Sequence, residues 1–285
     1  MSSDKGHYNI VSGPVSITID PTVGGRTVSF KLADYEFLTG KDVHPENYGS
    51  TLWPSPQSIW NWPPPAALDN LPYAVVSSGD SILLSSGMDP QTRLQFKKSI
   101  TAGGSGKLVM TYWMLNESDS NISVAPWEVT RVHKGGTFFF PIGEGGIGRK
   151  HFSPAPTQEK DGIVWYKDEL KRPDENELSI ADGSEGWMAY VLDGRVFAKR
   201  FKDTKPRDHA PGEAEISVYV SAVADYVEIE TQGKYEPIAP GRANVWRTEW
   251  MAADLPKDIS ASVASGRLVE FVRKLVRTNS ALTSD

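Results

Sequence analysis

Short runs of alternating apolar and polar residues recur along this 285-residue chain, and they constrain its fold more than any other feature. Val15–Asp20 and Arg26–Leu32 flank a turn rich in Pro and Gly, which predicts a hairpin. Four further runs, AVVSS, SILLSS, TRLQFKKSI and KLVMTYWML, lie within residues 74–115 and predict an antiparallel meander. Residues 185–202 predict another hairpin, with Asp193-Gly194 as its turn.

Helical spacing occurs only near the end of the sequence, in residues 258–278. Asp258 or Ser260 is available there as an N-cap. The apolar residues that form the helical stripe are Val263, Leu268, Phe271, Val272, Leu275 and Val276. No internal repeat and no linker interrupts the chain. We therefore predict one all-β domain over residues 1–285, a large antiparallel β-sandwich with one amphipathic C-terminal helix packed on it.

The charge of the protein argues against two classes of partner. A net charge of -6 and a pI of about 5.5 do not suit nucleic acids or anionic membranes, which require a basic surface. No stretch approaches the roughly 20 apolar residues that span a bilayer. Because the N-terminus lacks a charged start followed by an apolar run, we expect a cytoplasmic protein. A periplasmic or secreted location stays open if a signal peptide was removed.

The sequence shows no pattern of metal ligands. It contains no cysteine, which excludes disulfides, a thiolate nucleophile and cysteine-ligated metals. His7, His44, His151 and His209 show no metal-ligand spacing. We therefore predict neither a metal site nor a cofactor. The sequence predicts no particular oligomeric state.

Tryptophans are clustered in residues 47–65, a segment too rich in proline for a central strand, which predicts an ordered loop. Its three indoles, Trp53, Trp60 and Trp62, cannot all face water without a large apolar patch. With the amide of Gln57 they could form a sugar-binding wall. The alternative is that they plug one end of a sandwich or barrel.

A second segment with candidate chemistry is residues 123–141. Alternation places Trp127, Val129, Arg131 and His133 on one face of a strand, opposite Glu128 and its alternating neighbours. His133 could donate a proton near neutral pH, although a single histidine is more often structural or solvated. Arg26, which follows two glycines earlier in the chain, could contact a ligand, but an exposed strand position is the favoured interpretation.

Residues 226–241 join a strand to an acidic pair and a turn. Tyr226, Glu228, Glu230 and Gln232 share one face by alternation. Such a face either lies in water or lines a cleft in which protons are moved. The pattern alone favours the solvated face, because charged residues are mostly exposed.

These motifs resemble the galactose mutarotase-like superfamily, which includes the aldose 1-epimerases. The resemblance rests on ETQ at 230–232, PG at 240–241 and a final strand with tryptophan, together with GGR, WPSPQ and WEVTR. It implies an antiparallel β-sandwich with a carbohydrate cleft, and it places the general base on Glu230. The family's asparagine-histidine motif is missing here, so His133 is the acid that this sequence permits.

Three functions are consistent with these features. The first is an epimerase that opens and recloses a sugar ring by general acid/base catalysis, with Glu230 and His133 as catalytic residues. The second is a non-catalytic carbohydrate-binding module, and the third is a lyase or isomerase of another metabolite. The expected partner is a small carbohydrate or sugar derivative. The candidate substrate-binding residues are Trp53, Gln57, Trp60, Trp62, Trp127, Arg131, Glu228, Gln232 and Arg26.

Overall fold

A computed structural model of the protein describes residues 2–4, 6–77, 81–150 and 152–278. The strands are β1 Ser2–Asp4, β2 His7–Ser12, β3 Val15–Asp20, β4 Arg26–Leu32, β5 Tyr35–Glu36, β6 Ser50–Ser55, β7 Ala74–Ser77, β8 Ser81–Ser85, β9 Leu94–Gly104, β10 Lys107–Asn116, β11 Ile122–His133, β12 Thr137–Arg149, β13 Thr157–Lys160, β14 Ile163–Lys167, β15 Glu177–Gly183, β16 Trp187–Leu192, β17 Arg195–Phe201, β18 Ile216–Val220, β19 Tyr226–Gln232, β20 Glu236–Ile238 and β21 Ala243–Asp254. The helices are α1 Ala66–Asp69 and α2 Gly266–Arg277, with 3-10 turns at Gln57–Ile59 and Pro206–Asp208.

The strands form two antiparallel sheets that share β12. The first sheet runs in the order β1, β2, β3, β4, β6, β11, β19, β18, β15 and the second half of β12. The second runs in the order β7, β8, β9, β10, β21, β17, β16, the first half of β12, β14 and β13. The predicted all-β architecture is confirmed, as are both hairpins and the meander.

The core lies between the two sheets. Val227 and Ile229 of β19 are buried there, on the face that alternation assigned to apolar residues. Phe30 from the first sheet contacts Phe197 and Trp250 from the second, with ring centroids 4.6 and 5.2 Å apart. Stacked sheets bury such side chains from both inner faces, so the outer face of the first sheet is left free to carry a site.

A polar network crosses this core. Glu128 of β11 is fully buried and accepts hydrogen bonds from Lys199 Nζ at 2.7 Å and Tyr112 Oη at 2.6 Å. Thr248 Oγ1 at 3.2 Å and Trp250 Nε1 at 3.1 Å also donate to its carboxylate. Burial lowers the pKa of Lys199, whereas the Glu128 charge opposes that decrease. The ion pair therefore joins the two sheets through their interior.

Helix α2 covers the outer face of the second sheet, where its buried Leu268 and Val272 join the cluster around Trp165 and Trp187. The predicted start at residue 258 was wrong. Ser265 is the N-cap, and its side chain accepts a hydrogen bond from the Leu268 backbone N–H.

The predicted cap Asp258 has another partner, because its carboxylate pairs with the Arg267 side chain instead of a backbone N–H. None of the helices in the described ranges is long and apolar enough to span a membrane.

Two segments predicted as loops contain strands. Ser50–Ser55 is a buried strand, although it includes Pro54. It pairs with β4 only at Ser50, so Pro54 has a neighbouring strand on the β11 side alone. On the other side, which is unpaired, a missing backbone N–H is tolerated. Residues 143–184 are rich in glycine and then in charged residues, which predicts loops around one strand at 162–166. The segment also contains β13, β15 and the end of β12.

Candidate functional site

The register of four adjacent strands defines the outer face of the first sheet. Residues directly opposite each other in an antiparallel ladder point to the same side. One such row across β15, β18, β19 and β11 contains Ile180, Ser217, Glu230 and Val129. The next row contains Leu178, Tyr219, Glu228 and Arg131. The two acidic residues of β19 therefore lie at the centre of a short grid of side chains.

The six grid residues of β15, β18 and β19 form the floor of a cavity of about 500 Å³, which is within the usual size range of ligand pockets. Glu228 and Glu230 both line it, with exposed fractions of only 7% and 3%. The solvated outer face that the pattern favoured is therefore wrong. The carboxylates face a cavity because loops and tryptophans from neighbouring segments surround them.

Glu230 lies on the cavity floor with one oxygen held by protein donors. Its Oε2 accepts hydrogen bonds from Trp127 Nε1 at 2.9 Å and Ser217 Oγ at 2.7 Å. Burial raises the pKa of Glu230 to about 8, and the nearby Glu228 carboxylate acts in the same direction. The two hydrogen bonds and the positive charge of Lys150 oppose this rise. We therefore expect Glu230 to keep its proton at neutral pH and to lose it as the pH rises through about 8.

Glu228 has a different partner. Its Oε1 accepts a hydrogen bond from Arg131 Nε at 2.8 Å. The Arg131 guanidinium is 1% exposed, donates to Thr51 Oγ1 at 3.2 Å and lies 5.2 Å from the centre of the Trp53 ring. Arg131 does not itself line the cavity, so its role in this geometry is to hold Glu228 in place.

Indoles form one wall of the cavity. Trp53 meets Trp62 and Trp127 edge to face, with ring centroids 5.9 and 5.3 Å apart. Trp62 is 57% exposed at the rim, and Gln57 lines the same side. Trp60 lies behind Trp53 and outside the lining, where its Nε1 donates to the Pro54 carbonyl at 2.7 Å.

Trp53 is fixed by Asp69, which accepts a hydrogen bond from its Nε1 at 2.8 Å. The same Asp69 carboxylate lies 3.3 Å from Nη2 of Arg26. Arg26 is therefore neither exposed nor in the lining; its guanidinium also lies 4.5 Å from the centre of the Tyr48 ring. It is an indirect support for the indole wall.

Lys150 contributes a cation to the cavity. Its ammonium pairs with the Glu213 carboxylate and lies 5.8 Å from the centre of the Trp127 ring. Gln232, predicted to bind substrate, lies outside the lining and connects to Lys150 through Glu213, to which its Nε2 donates at 3.3 Å. Ser55 Oγ donates to Gln232 Oε1 at 2.6 Å, which fixes the amide.

His133 lies on the wall of a separate cavity, together with Tyr35 and Asp193. Alternation correctly put it on the same face as Arg131, but it pairs with Tyr226 at the far end of the ladder. At about 3.4 Å per residue, the four steps from Tyr226 to Glu230 correspond to about 14 Å. His133 and Glu230 are therefore not brought together.

Several lining residues were missed by the sequence analysis, namely Ser217, Tyr219, Lys150, Asn176, Leu178 and Ile180. A signal was available for the first two. The segments of β18 and β19 read as consecutive strands, and antiparallel pairing places Ser217 and Tyr219 beside Glu230 and Glu228. The other four lie outside that hairpin, and no local pattern connects them to it.

The described part of the chain contains no group of three or more His, Cys, Asp or Glu side chains that could hold a metal ion. His151, one of the histidines considered above, lies outside the described residues.

Comparisons with known proteins agree with the architecture. No protein-family model matches the sequence, and a search of curated proteins finds no match. A galactose mutarotase-like protein from Lactobacillus casei ATCC 334 has a similar structure, with a TM-score of 0.63 and 11% identity over 87% of this chain and 100% of that chain. A galactose mutarotase related enzyme from Lactobacillus acidophilus gives a TM-score of 0.58 and 13% identity over 89% and 99%.

A candidate aldose 1-epimerase from Escherichia coli K12 gives a TM-score of 0.60 and 12% identity over 87% of this chain and 99% of that chain. The protein therefore has the galactose mutarotase-like fold that its motifs predicted. At identities this low, the structural similarity establishes the fold alone, and the activity has to be argued from the cavity.

Proposed function

We propose that this protein is a carbohydrate-active enzyme of the aldose 1-epimerase type, with Glu230 as its general base. The observation that carries the proposal is the position of Glu230 on the floor of an indole-walled cavity, with a pKa raised to about 8. A general base works best when its pKa lies near the working pH, because enough of it is then ionised and the ionised form is basic enough to accept a proton. Aromatic faces and amides are the groups that hold a sugar ring above such a base.

The reaction needs a proton removed from the C1 hydroxyl and a proton supplied to the ring oxygen. Trp127 and Ser217 both donate to Oε2 of Glu230, and no residue in the described ranges donates to Oε1. Oε1 is therefore the oxygen that would accept the C1 hydroxyl proton. The ring then opens, rotates about one bond and closes on its other face.

Lys150 is our candidate for the group that faces the ring oxygen. Lys150 lines the cavity, and its ammonium lies near the ring of Trp127, the indole that donates a hydrogen bond to Glu230. Tyr219 and Tyr226 also line the cavity, but burial raises the pKa of both phenols, that of Tyr226 to about 12, so they suit hydrogen bonding better than proton transfer. His133 has no part in this proposal.

Glu230→Gln should reduce the acceleration of anomer equilibration by at least 100-fold, because general base catalysis typically contributes 10²–10⁴-fold. Polarimetry of freshly dissolved aldoses, with uronic acids and sugar phosphates included, measures this rate. In the wild type the rate should rise with pH through about 8, as Glu230 loses its proton.

Glu159→Gln is the matched control, since Glu159 is an exposed carboxylate on β13 of the other sheet. It should leave the rate unchanged. A wild-type rate equal to that of buffer for every aldose tested would count against the enzyme. New products from uronic acids would instead favour a lyase on this scaffold.

A second candidate function is carbohydrate binding without catalysis. The observation that favours it is that no histidine of the described residues lines the cavity, whereas three indoles do. A binding module needs the aromatic wall but not the base.

Trp62→Ala tests the contribution of this wall. Loss of an aromatic platform at the rim should weaken sugar affinity by about 1–3 kcal/mol, roughly 5- to 160-fold, if Trp62 stacks on the ring as bases stack on aromatic side chains. Titration calorimetry measures the affinity, and Trp113→Ala on β10 serves as control. Unchanged binding in Glu230→Gln, with no catalysis in the wild type, would support the binding module.

A further inference from the structure

The cavity has two chemically different halves. The half that holds Glu230 and Glu228 is bounded by indoles and carries the charges described above. The other half lies over β15, where Leu178 and Ile180 line the cavity together with Phe152 and Val223. The second half presents no carboxylate or ammonium group among the described lining residues.

The apolar half is set at a fixed distance from the base by the sheet. Ile180 and Glu230 lie in the same row, separated by the strand β18. Two strand spacings of about 4.8 Å place them about 10 Å apart. This span is longer than one pyranose ring, so a monosaccharide held at Glu230 leaves the apolar half unfilled.

The apolar residues belong to the cavity and are not an extension of the core. Leu178 and Ile180 form a small cluster with Ala214 that is separate from the cluster between the sheets. Phe152 and Tyr219 pack against that cluster, their rings 6.2 Å apart and edge to face. Val223 is 71% exposed at the rim. Large side chains left open to a cavity in this way are typical of a binding surface for an apolar group.

We propose that the ligand of this cavity is a sugar that carries an alkyl or aryl substituent, with the sugar ring over Glu230 and the substituent over Leu178 and Ile180. This inference rests on the proposed function, because it takes the sugar ring to lie at Glu230. It adds a substrate class: sugars with an apolar group attached at a carbon other than C1.

The test uses two probes that occupy the two halves separately. Benzyl alcohol should bind over β15 and methyl β-galactopyranoside over Glu230, each observed by saturation-transfer NMR. When both are present, an interligand NOE should connect them. Galactose benzoylated at O3 or O6 should then bind at least 10-fold more tightly than galactose in a calorimetric titration.

Ile180→Asn should abolish benzyl alcohol binding and leave methyl β-galactopyranoside binding within twofold. Because a strand substitution can impair folding, Val223→Asn at the exposed rim is the second variant and should weaken benzyl alcohol binding several-fold. Val11→Asn is the matched control, since Val11 is 56% exposed on β2, outside this cavity.

The outcomes separate the two proposals. If galactose binds but benzyl alcohol does not, and the benzoylated sugars bind no better than galactose, the proposal of an apolar substituent is overturned and the proposed function stands. If the wild type binds benzyl alcohol and Ile180→Asn does not, but no sugar binds and no anomer equilibration is catalysed, the proposed function fails and this inference fails with it.

Discussion

Lys199→Met is expected to lower the free energy of unfolding by about 3–5 kcal/mol, because it leaves the Glu128 carboxylate buried without its cation. The ion pair has an Nζ to Oε1 distance of 2.7 Å, and both side chains are 0% exposed. Tyr112, Thr248 and Trp250 still donate to Glu128, but three neutral donors do not replace a charge in a low-dielectric interior. Denaturant unfolding at pH 7 measures the loss.

Matched variants separate the ion pair from simple loss of a lysine. Lys202→Met changes an exposed lysine just after the same strand and should shift stability by less than about 0.5 kcal/mol. The double variant Glu128→Met/Lys199→Met should lose less than the sum of its two single variants, since it removes the isolated charge. Strict additivity would show that the two residues act independently and would contradict the pair.

The sequence predicted the faces of the strands well. Alternation placed Glu228 and Glu230 together on β19 and put Glu128 on the opposite face of β11 from Arg131. Those assignments hold because a strand that is buried on one face cannot slip by one residue without exposing its apolar set. The antiparallel sandwich follows from the same repeated pattern.

The direction in which each face looks was not predictable in this way. Glu228 and Glu230 read as solvated because charged residues usually are, and nothing local shows that Arg131 and Trp127 meet them across the ladder with β11. Glu128 likewise finds Lys199 at a sequence separation of 71 residues. Such pairings depend on the register between strands that are far apart in sequence. A period of two along one strand carries no information about that register.

The remaining errors have separate causes. Ser50–Ser55 was predicted as a loop because of its proline, whose missing N–H is harmless at an unpaired strand side. Glu177–Gly183 was missed because charged neighbours hide the alternation of Leu178 and Ile180. His133 was placed on the correct face, but alternation does not give the register between β11 and β19, which sets His133 opposite Tyr226 and away from Glu230.

Glu228 and Glu230 should respond in opposite ways to the same isosteric change. Glu228→Gln leaves the Arg131 guanidinium buried without a charged partner, so it should lower the free energy of unfolding by about 3–5 kcal/mol at pH 5. The loss should be smaller at pH 9, because removal of Glu228 also relieves its repulsion of the ionised Glu230.

Glu230→Gln should stabilise the protein at pH 9 and change little at pH 5. The pKa of Glu230 is raised from 4.5 to about 8 in the folded protein, so its favourable contribution is complete below pH 4.5 and is lost as pH rises through 8. The neutral amide avoids that loss, and its oxygen can still accept from Trp127 and Ser217. A gain on the order of 2–4 kcal/mol follows from about 1.4 kcal/mol per pKa unit, reduced for coupling to Glu228. Unfolding of wild type and both variants at pH 5 and pH 9 measures these differences, and a Glu230→Gln variant less stable than wild type at pH 9 would mean that Glu230 is ionised and favourably paired in the folded cavity.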